Sequence, residues 1–157
     1  MNTFDRMDSR ILEELQLDGR ISNQDLADRI GMSPSSCLRR TRVLERSGVI
    51  SGYAAVVNPA SVGLGLIAFV RLRLKSHDGG TVERVEDELR SIPEIVEAYL
   101  LAGDDDYLLR VVASSFDHYE TVLRERLRKI PALASITTTF AMGVTKPAAP
   151  IPIGERR

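Results

Sequence analysis

The sequence predicts an α+β fold in two parts, helices first and a β-α-β-β-α-β unit after them. Three observations carry this. Apolar residues recur at helical spacing three times before residue 50, and each run is closed by a glycine, Gly19, Gly31 or Gly48. Asn58-Pro59 then interrupts the chain. Beyond it, a helix, an Ile-Pro pair and a strand occur twice in that order, with Ile92-Pro93 and Ile130-Pro131 as the stops.

Residues 7–15, the first helix, place Ile11, Leu12 and Leu15 on one stripe. Ser22 and Asp25 have capping-box spacing and open a second helix with Leu26, Ala27 and Ile30 inward. Ser33-Pro34 opens a third, Ser33 as N-cap and Pro34 at the first helical position, where its missing N–H costs nothing. Residues 49–57 are apolar and β-prone, and Gly52 can fold them into a hairpin, the wing of a winged helix-turn-helix. In the second part, strands are expected at 67–74, 94–101, 107–113 and 134–142, with helices at 81–91 and 116–129. That is the ferredoxin-like order, two helices on one face of a four-stranded antiparallel sheet. Ile67, Phe69, Val96 and Val112 alternate with other apolar residues, so both sheet faces read as apolar and a homo-oligomer is expected to cover the bare one. The chain thus divides into residues 1–58 with a helix-turn-helix motif at 23–42, a linker at 59–64, and residues 65–157.

Composition narrows the class of function. The chain has 157 residues, 43% apolar and 27% charged, as in globular proteins with packed cores. No apolar run approaches the roughly 20 residues of a membrane span. The opening residues lack the apolar core of a secretory signal, and Cys37 is the single cysteine, so a cytoplasmic protein is expected. The net charge of −1 argues weakly against nucleic acid, but its distribution argues the other way. Four arginines, at 39, 40, 42 and 46, fall on the third helix, while most acids of the first part precede it.

At 100° per residue, Cys37, Thr41 and Leu44 of that helix face inward. Ser35, Arg39, Arg42 and Arg46 fall opposite, with Ser36 and Arg40 on the flanks. The second helix of a helix-turn-helix enters the major groove, and arginine there can bridge guanine O6 and N7. Candidate contacts to double-stranded DNA are therefore Asn23, Ser33, Ser35, Ser36, Arg39, Arg40 and Arg42, with helix starts such as Asn23 offering N–H groups to phosphate. Alone, an arginine run is more often a solvated face. The Gly31 turn, the capped helix before it and the β-prone segment after it favour DNA.

The stretches Gly19-Arg20-Ile21-Ser22-Asn23, Leu26-Ala27, Ile30-Gly31-Met32-Ser33-Pro34, Arg40, Leu44-Glu45 and Gly48-Val49-Ile50-Ser51-Gly52-Tyr53 resemble the N-terminal half of the leucine-responsive and asparagine-synthase (Lrp/AsnC, feast/famine) regulators. Asn58-Pro59 resembles that family's linker, and residues 100–109 its Gly-Asp loop. Residues 138–142 and Lys146 resemble its last strand and the segment after that strand. The resemblance implies a transcription regulator that forms dimers, assembles further to octamers, and binds an amino acid or related metabolite between subunits.

Loop 103–106 has two readings. Taken by itself, Gly103-Asp104-Asp105-Asp106 is a turn between strands. Alternatively Gly103 lets a ligand approach the backbone and a carboxylate holds an α-ammonium group. The resemblance favours the second, with Gly103, Asp104, Asp106, Thr138 and Thr139 as effector-site candidates. No metal or cofactor is expected. His77 and His118 lack partners at metal spacing, and no phosphate loop or dinucleotide fingerprint appears. The competing readings are a ferredoxin-like enzyme or ligand-binding module with supporting helices, and a winged helix used for protein contacts. The first lacks an acid, base and nucleophile set, and leaves the arginine face unexplained.

Overall fold

A computed structural model describes residues 5–153. Of the opening ten residues on which the leader reading rests, residues 1–4 lie outside the described ones. The described residues form two units, one from residues 5–56 together with 146–153 and the other from residues 57–145.

In the first unit, α1 (Arg6–Leu17) is opened by Asp5, whose carboxylate accepts the N–H of Met7 and Asp8 while the Asp8 carboxylate accepts that of Asp5. The second helix, α2 (Asn23–Ile30), starts at Ser22, whose hydroxyl oxygen accepts the Asp25 N–H at 3.1 Å. The Asp25 carboxylate accepts a hydrogen bond from the Ser22 hydroxyl instead of completing a backbone exchange. Gly31 ends α2 at φ 73°, ψ 43°, a left-handed conformation that a Cβ disfavours. Arg10 donates to the carbonyls of Ile30 and Arg29, satisfying the last turn of α2 from α1. Third comes α3 (Pro34–Arg46), capped by Ser33. Ile11, Leu12, Leu26, Ala27, Ile30, Cys37 and Leu44 form one buried cluster, so the three predicted apolar stripes meet. Each fully buried aliphatic side chain of this kind contributes about 1.5–3 kcal/mol.

The expected hairpin at 49–57 does not form. Among the described residues, 51–58 run without strand pairing, Val56 is fully exposed, and Tyr53, half-exposed beside Gly19, donates its hydroxyl to Glu45. An apolar, β-prone segment states a preference for extended backbone but not where its ladder partner is.

The second unit is a single antiparallel sheet. Its strands are β1 (Leu66–Leu74), β2 (Ile95–Leu100), β3 (Tyr107–Ala113) and β4 (Leu133–Phe140), in the order β2-β3-β1-β4. Helices α4 (Gly79–Arg90) and α5 (Phe116–Glu125) complete the predicted β-α-β-β-α-β order. The second helix stops four residues short of expectation, and Leu127–Lys129 continue as a 3-10 turn. Ala68, Val70 and Leu72 of β1 face the helices and pack with Leu109, Val85, Leu89, Tyr119 and Val122. Both Ile-Pro isoleucines, Ile92 and Ile130, are buried in the same core.

The other sheet face is mixed rather than uniformly apolar. Phe69, Ile67, Leu108 and Val112 share it with Arg71, Arg73 and Arg110, because burial alternates along β1 and β3 and these fall on the uncovered phase. Arg110 pairs with Glu97 across β2 and β3 at 2.7 Å.

Candidate DNA-contacting helix and ligand cavity

The phase of α3 follows the inward residues. Cys37, Thr41 and Leu44 are buried, and the Thr41 hydroxyl donates to the Cys37 carbonyl at 3.1 Å, so no polar group is stranded inside. Ser35, Arg39, Arg42 and Arg46 are exposed on the opposite side, and Ser36 is half-buried with its N–H on the Ser33 hydroxyl. Among the described residues, Arg39, Arg42 and Arg46 have neither a carboxylate partner nor a side-chain hydrogen bond.

Arg40 is different. Its guanidinium lies 2.8 Å from both Asp5 and Asp8, with 26% of the side chain exposed. It bridges α3 to the capping box of α1, and its own acidity is weakened by the two carboxylates. Asp5 is held below the usual carboxylate range, first by the Asp8 N–H and then by Arg40. A guanidinium paired with two acids has less positive field to offer phosphate than an unpaired one, and Arg40 braces α3 against α1. The Asn23 side-chain amide donates to the Pro34 carbonyl at 2.9 Å and ties the start of α2 to the start of α3; the backbone N–H, the group expected at phosphate, takes no part in that bond.

In the second unit a cavity of about 510 Å³ opens on the uncovered sheet face. Phe69 and Arg71 of β1, Leu108 of β3 and Thr139 of β4 form its floor, and loop 101–105 forms its wall. Of the sequence candidates, Gly103, Asp104 and Thr139 line it. Gly103 is not in the left-handed region, and a Cβ there would meet nothing within 4 Å, so the loop leaves open space at this point.

Asp106 and Thr138 belong elsewhere. The Asp106 carboxylate accepts the Leu74 N–H at 2.7 Å and meets His77 Nε2 at 2.7 Å, with 19% of the side chain exposed. These contacts, the Leu74 N–H first and His77 second, hold the carboxyl below its ordinary range. Asp106 is therefore a clasp between the end of β1 and the start of β3, not a free ligand group. Thr138 pairs with Val70 in the register and its hydroxyl bonds the Tyr119 hydroxyl beneath α5, on the helix side of the sheet. Strand alternation puts neighbouring threonines on opposite faces, so Thr138 and Thr139 cannot line one cavity.

Arg71 and Asp105 are the residues that sequence reasoning missed. Arg71 Nε lies 3.8 Å from an Asp105 carboxylate oxygen, so the cavity offers a cation beside two acids. The signal was present in β1, where Phe69, Arg71 and Arg73 recur at period two.

Residues 67–151 match the model of the Lrp/AsnC ligand binding domain, and residues 4–51 match a winged helix-turn-helix DNA-binding model. The chain belongs to the Lrp/AsnC family. Leucine-responsive regulatory proteins of Escherichia coli (strain K12) and Klebsiella pneumoniae are 39% identical over 143 residues, covering 91% of this chain and 87% of theirs. A transcriptional regulator from Neisseria meningitidis, solved as a complex with L-Met, superimposes with a TM-score of 0.91 at 32% identity, over 96% of this chain and 97% of its own. An AsnC family transcriptional regulator from Agrobacterium tumefaciens gives 0.90 at 34% identity, over 95% and 97%. The Lrp/AsnC members are DNA-binding transcription regulators rather than enzymes, and this chain carries both halves of their design. Among the described residues, no helix is long and apolar enough to cross a membrane.

Proposed function

We propose that this Lrp/AsnC regulator binds operator DNA through α3 and that an amino acid in the cavity beside loop 101–105 changes that binding, within a cytoplasmic homo-oligomer. The observation that carries the DNA half is the contrast along one helix. Arg39, Arg42 and Arg46 are outward and have no partner among the described residues, while Arg40 is spent on two acids. Arg39, nearer the helix start, suits a base edge, and Arg42 and Arg46 suit phosphates. Ser33, Ser35 and Ser36 at the N-terminal end add hydroxyl donors toward the DNA backbone.

The cavity supports an amino acid by charge. A zwitterion presents an ammonium group suited to Asp104 or Asp105 and a carboxylate suited to Arg71, whose planar donors fit it at two points. Phe69, Leu101 and Leu108 leave an apolar side for the rest of the molecule. The Neisseria meningitidis regulator holding L-Met is a precedent for this ligand class. The cavity is open on the uncovered sheet face, and a second copy packed there would close it, giving a ligand leverage over assembly.

Melting the full-length protein with each of the twenty amino acids tests the reading, since a ligand bound only to the folded state raises the melting temperature. At least one amino acid is expected to raise it and to shift DNA affinity by about 5- to 150-fold. If none moves either quantity, the effector half of the proposal fails.

A further inference from the structure

The C-terminal segment carries an observation that neither family match explains. Gln16, on α1, forms a two-point amide pair with Ile151. The Ile151 N–H donates to Gln16 Oε1 at 2.7 Å, and Gln16 Nε2 donates to the Ile151 carbonyl at 3.1 Å. Two residues on, Ile153 packs against the core cluster of α1, α2 and α3. Ile151 itself is 70% exposed, so it is held by its backbone. The segment and α1 border a groove of about 860 Å³ whose far wall is residues 49–56, the stretch that follows α3 and has no strand partner.

We infer that residues 150–153 are a working part of the DNA-binding unit, a strap that seats α1 and backs the segment leaving α3, so that DNA affinity depends on the far end of the chain. The ligand-binding unit is then an insertion within the DNA-binding unit, tied to it by two covalent arms. Both arms leave the sheet at neighbouring points. Leu66 begins β1, Phe140 ends β4, Ala68 pairs with Phe140, and the Ala141 N–H donates to the Ile67 carbonyl at 2.9 Å.

The amide pair is the specific element. A glutamine side chain carries both donor and acceptor groups, so it can complete both hydrogen bonds of an extended residue as a neighbouring strand would. Because it reads backbone, it fixes where the strap lies, while Ile153 supplies the apolar anchor.

The test is a double-mutant cycle in the full-length chain with Gln16→Ala, Ile153→Asp and both together. The probe is a DNA duplex selected by the full-length protein from a random pool, followed by fluorescence anisotropy, with thermal melting alongside. Ile153→Asp should weaken duplex binding about tenfold. It should also lower the melting transition by about 5 °C. Gln16→Ala should weaken binding about threefold alone and add almost nothing once Ile153→Asp has released the strap. Two results would overturn the inference. One is Gln16→Ala exerting its full effect in the Ile153→Asp background, which would make Gln16 an α1 residue only. The other is Ile153→Asp leaving affinity within about twofold while melting falls, which would make the strap packing without a part in DNA binding.

Discussion

Replacing Asp106 separates a clasp from a ligand group. Its carboxylate accepts one buried-backbone N–H, from Leu74, and faces the exposed His77. A hydrogen bond to a charged acceptor contributes about 1.5–3 kcal/mol. The solvent-exposed histidine contact adds about 0–1 kcal/mol. Asp106→Ala should therefore destabilise the chain by about 2 kcal/mol, the Leu74 N–H being left without its acceptor. Asp106→Asn keeps an oxygen for that N–H and should cost about 1 kcal/mol. Asp104→Ala, at the exposed wall of the cavity, should stay within about 0.5 kcal/mol of the parent. Urea unfolding followed by circular dichroism measures all three. The pH dependence has a definite sign, because the folded carboxyl lies below its ordinary value. Its stabilisation is complete above the unfolded value of about 3.9 and is lost as pH falls through the lower folded value. The gap between parent and Asp106→Asn should thus be flat near neutrality and close in acid. If Asp106→Ala were as harmless as Asp104→Ala, the clasp would be wrong.

Two further predictions concern residues the structure reassigns. Arg40→Ala should lower stability by about 1 kcal/mol through the lost bridge to α1, and at equal folded fraction should leave the salt dependence of DNA binding unchanged. Thermal melting and a salt titration read the two effects separately. Thr139→Val should weaken effector binding measured by calorimetry, whereas Thr138→Val should leave it intact and cost stability through the Tyr119 hydroxyl. Equal effects of the two on effector binding would contradict their placement on opposite faces.

The parts legible in the sequence were those set by local rules. The apolar stripes, the Ser33-Pro34 start, the glycine stops and the repeated Ile-Pro order led to the correct elements, and Cys37, Thr41 and Leu44 fixed the phase of α3. Residues whose roles depend on distant partners were not legible. Arg40 finds Asp5 and Asp8 far back along the chain at the start of α1, and Asp106 finds Leu74 at the end of β1 and His77 just after it. Thr138 and Thr139 read alike because period-two alternation does not say which phase faces the helices. An arginine inside an apolar strand reads as solvent-facing, and only the fold brings Arg71 beside loop 101–105. The strap at 150–153 has neither periodicity nor length, and its place comes from a single glutamine on α1.

DNA binding measured against salt for the parent, Arg42→Ala and Arg40→Ala tests the central claim most directly. A contact to phosphate contributes about one unit to the slope of log affinity against log salt. Arg42→Ala is expected to flatten the slope by about that amount and Arg40→Ala not at all, while Arg39→Ala loses the preference for the selected duplex over random DNA, about 1–3 kcal/mol for a bidentate base contact. A slope that Arg42→Ala leaves untouched, or that Arg40→Ala alone flattens, would mean that the outward face of α3 is not the face that meets DNA.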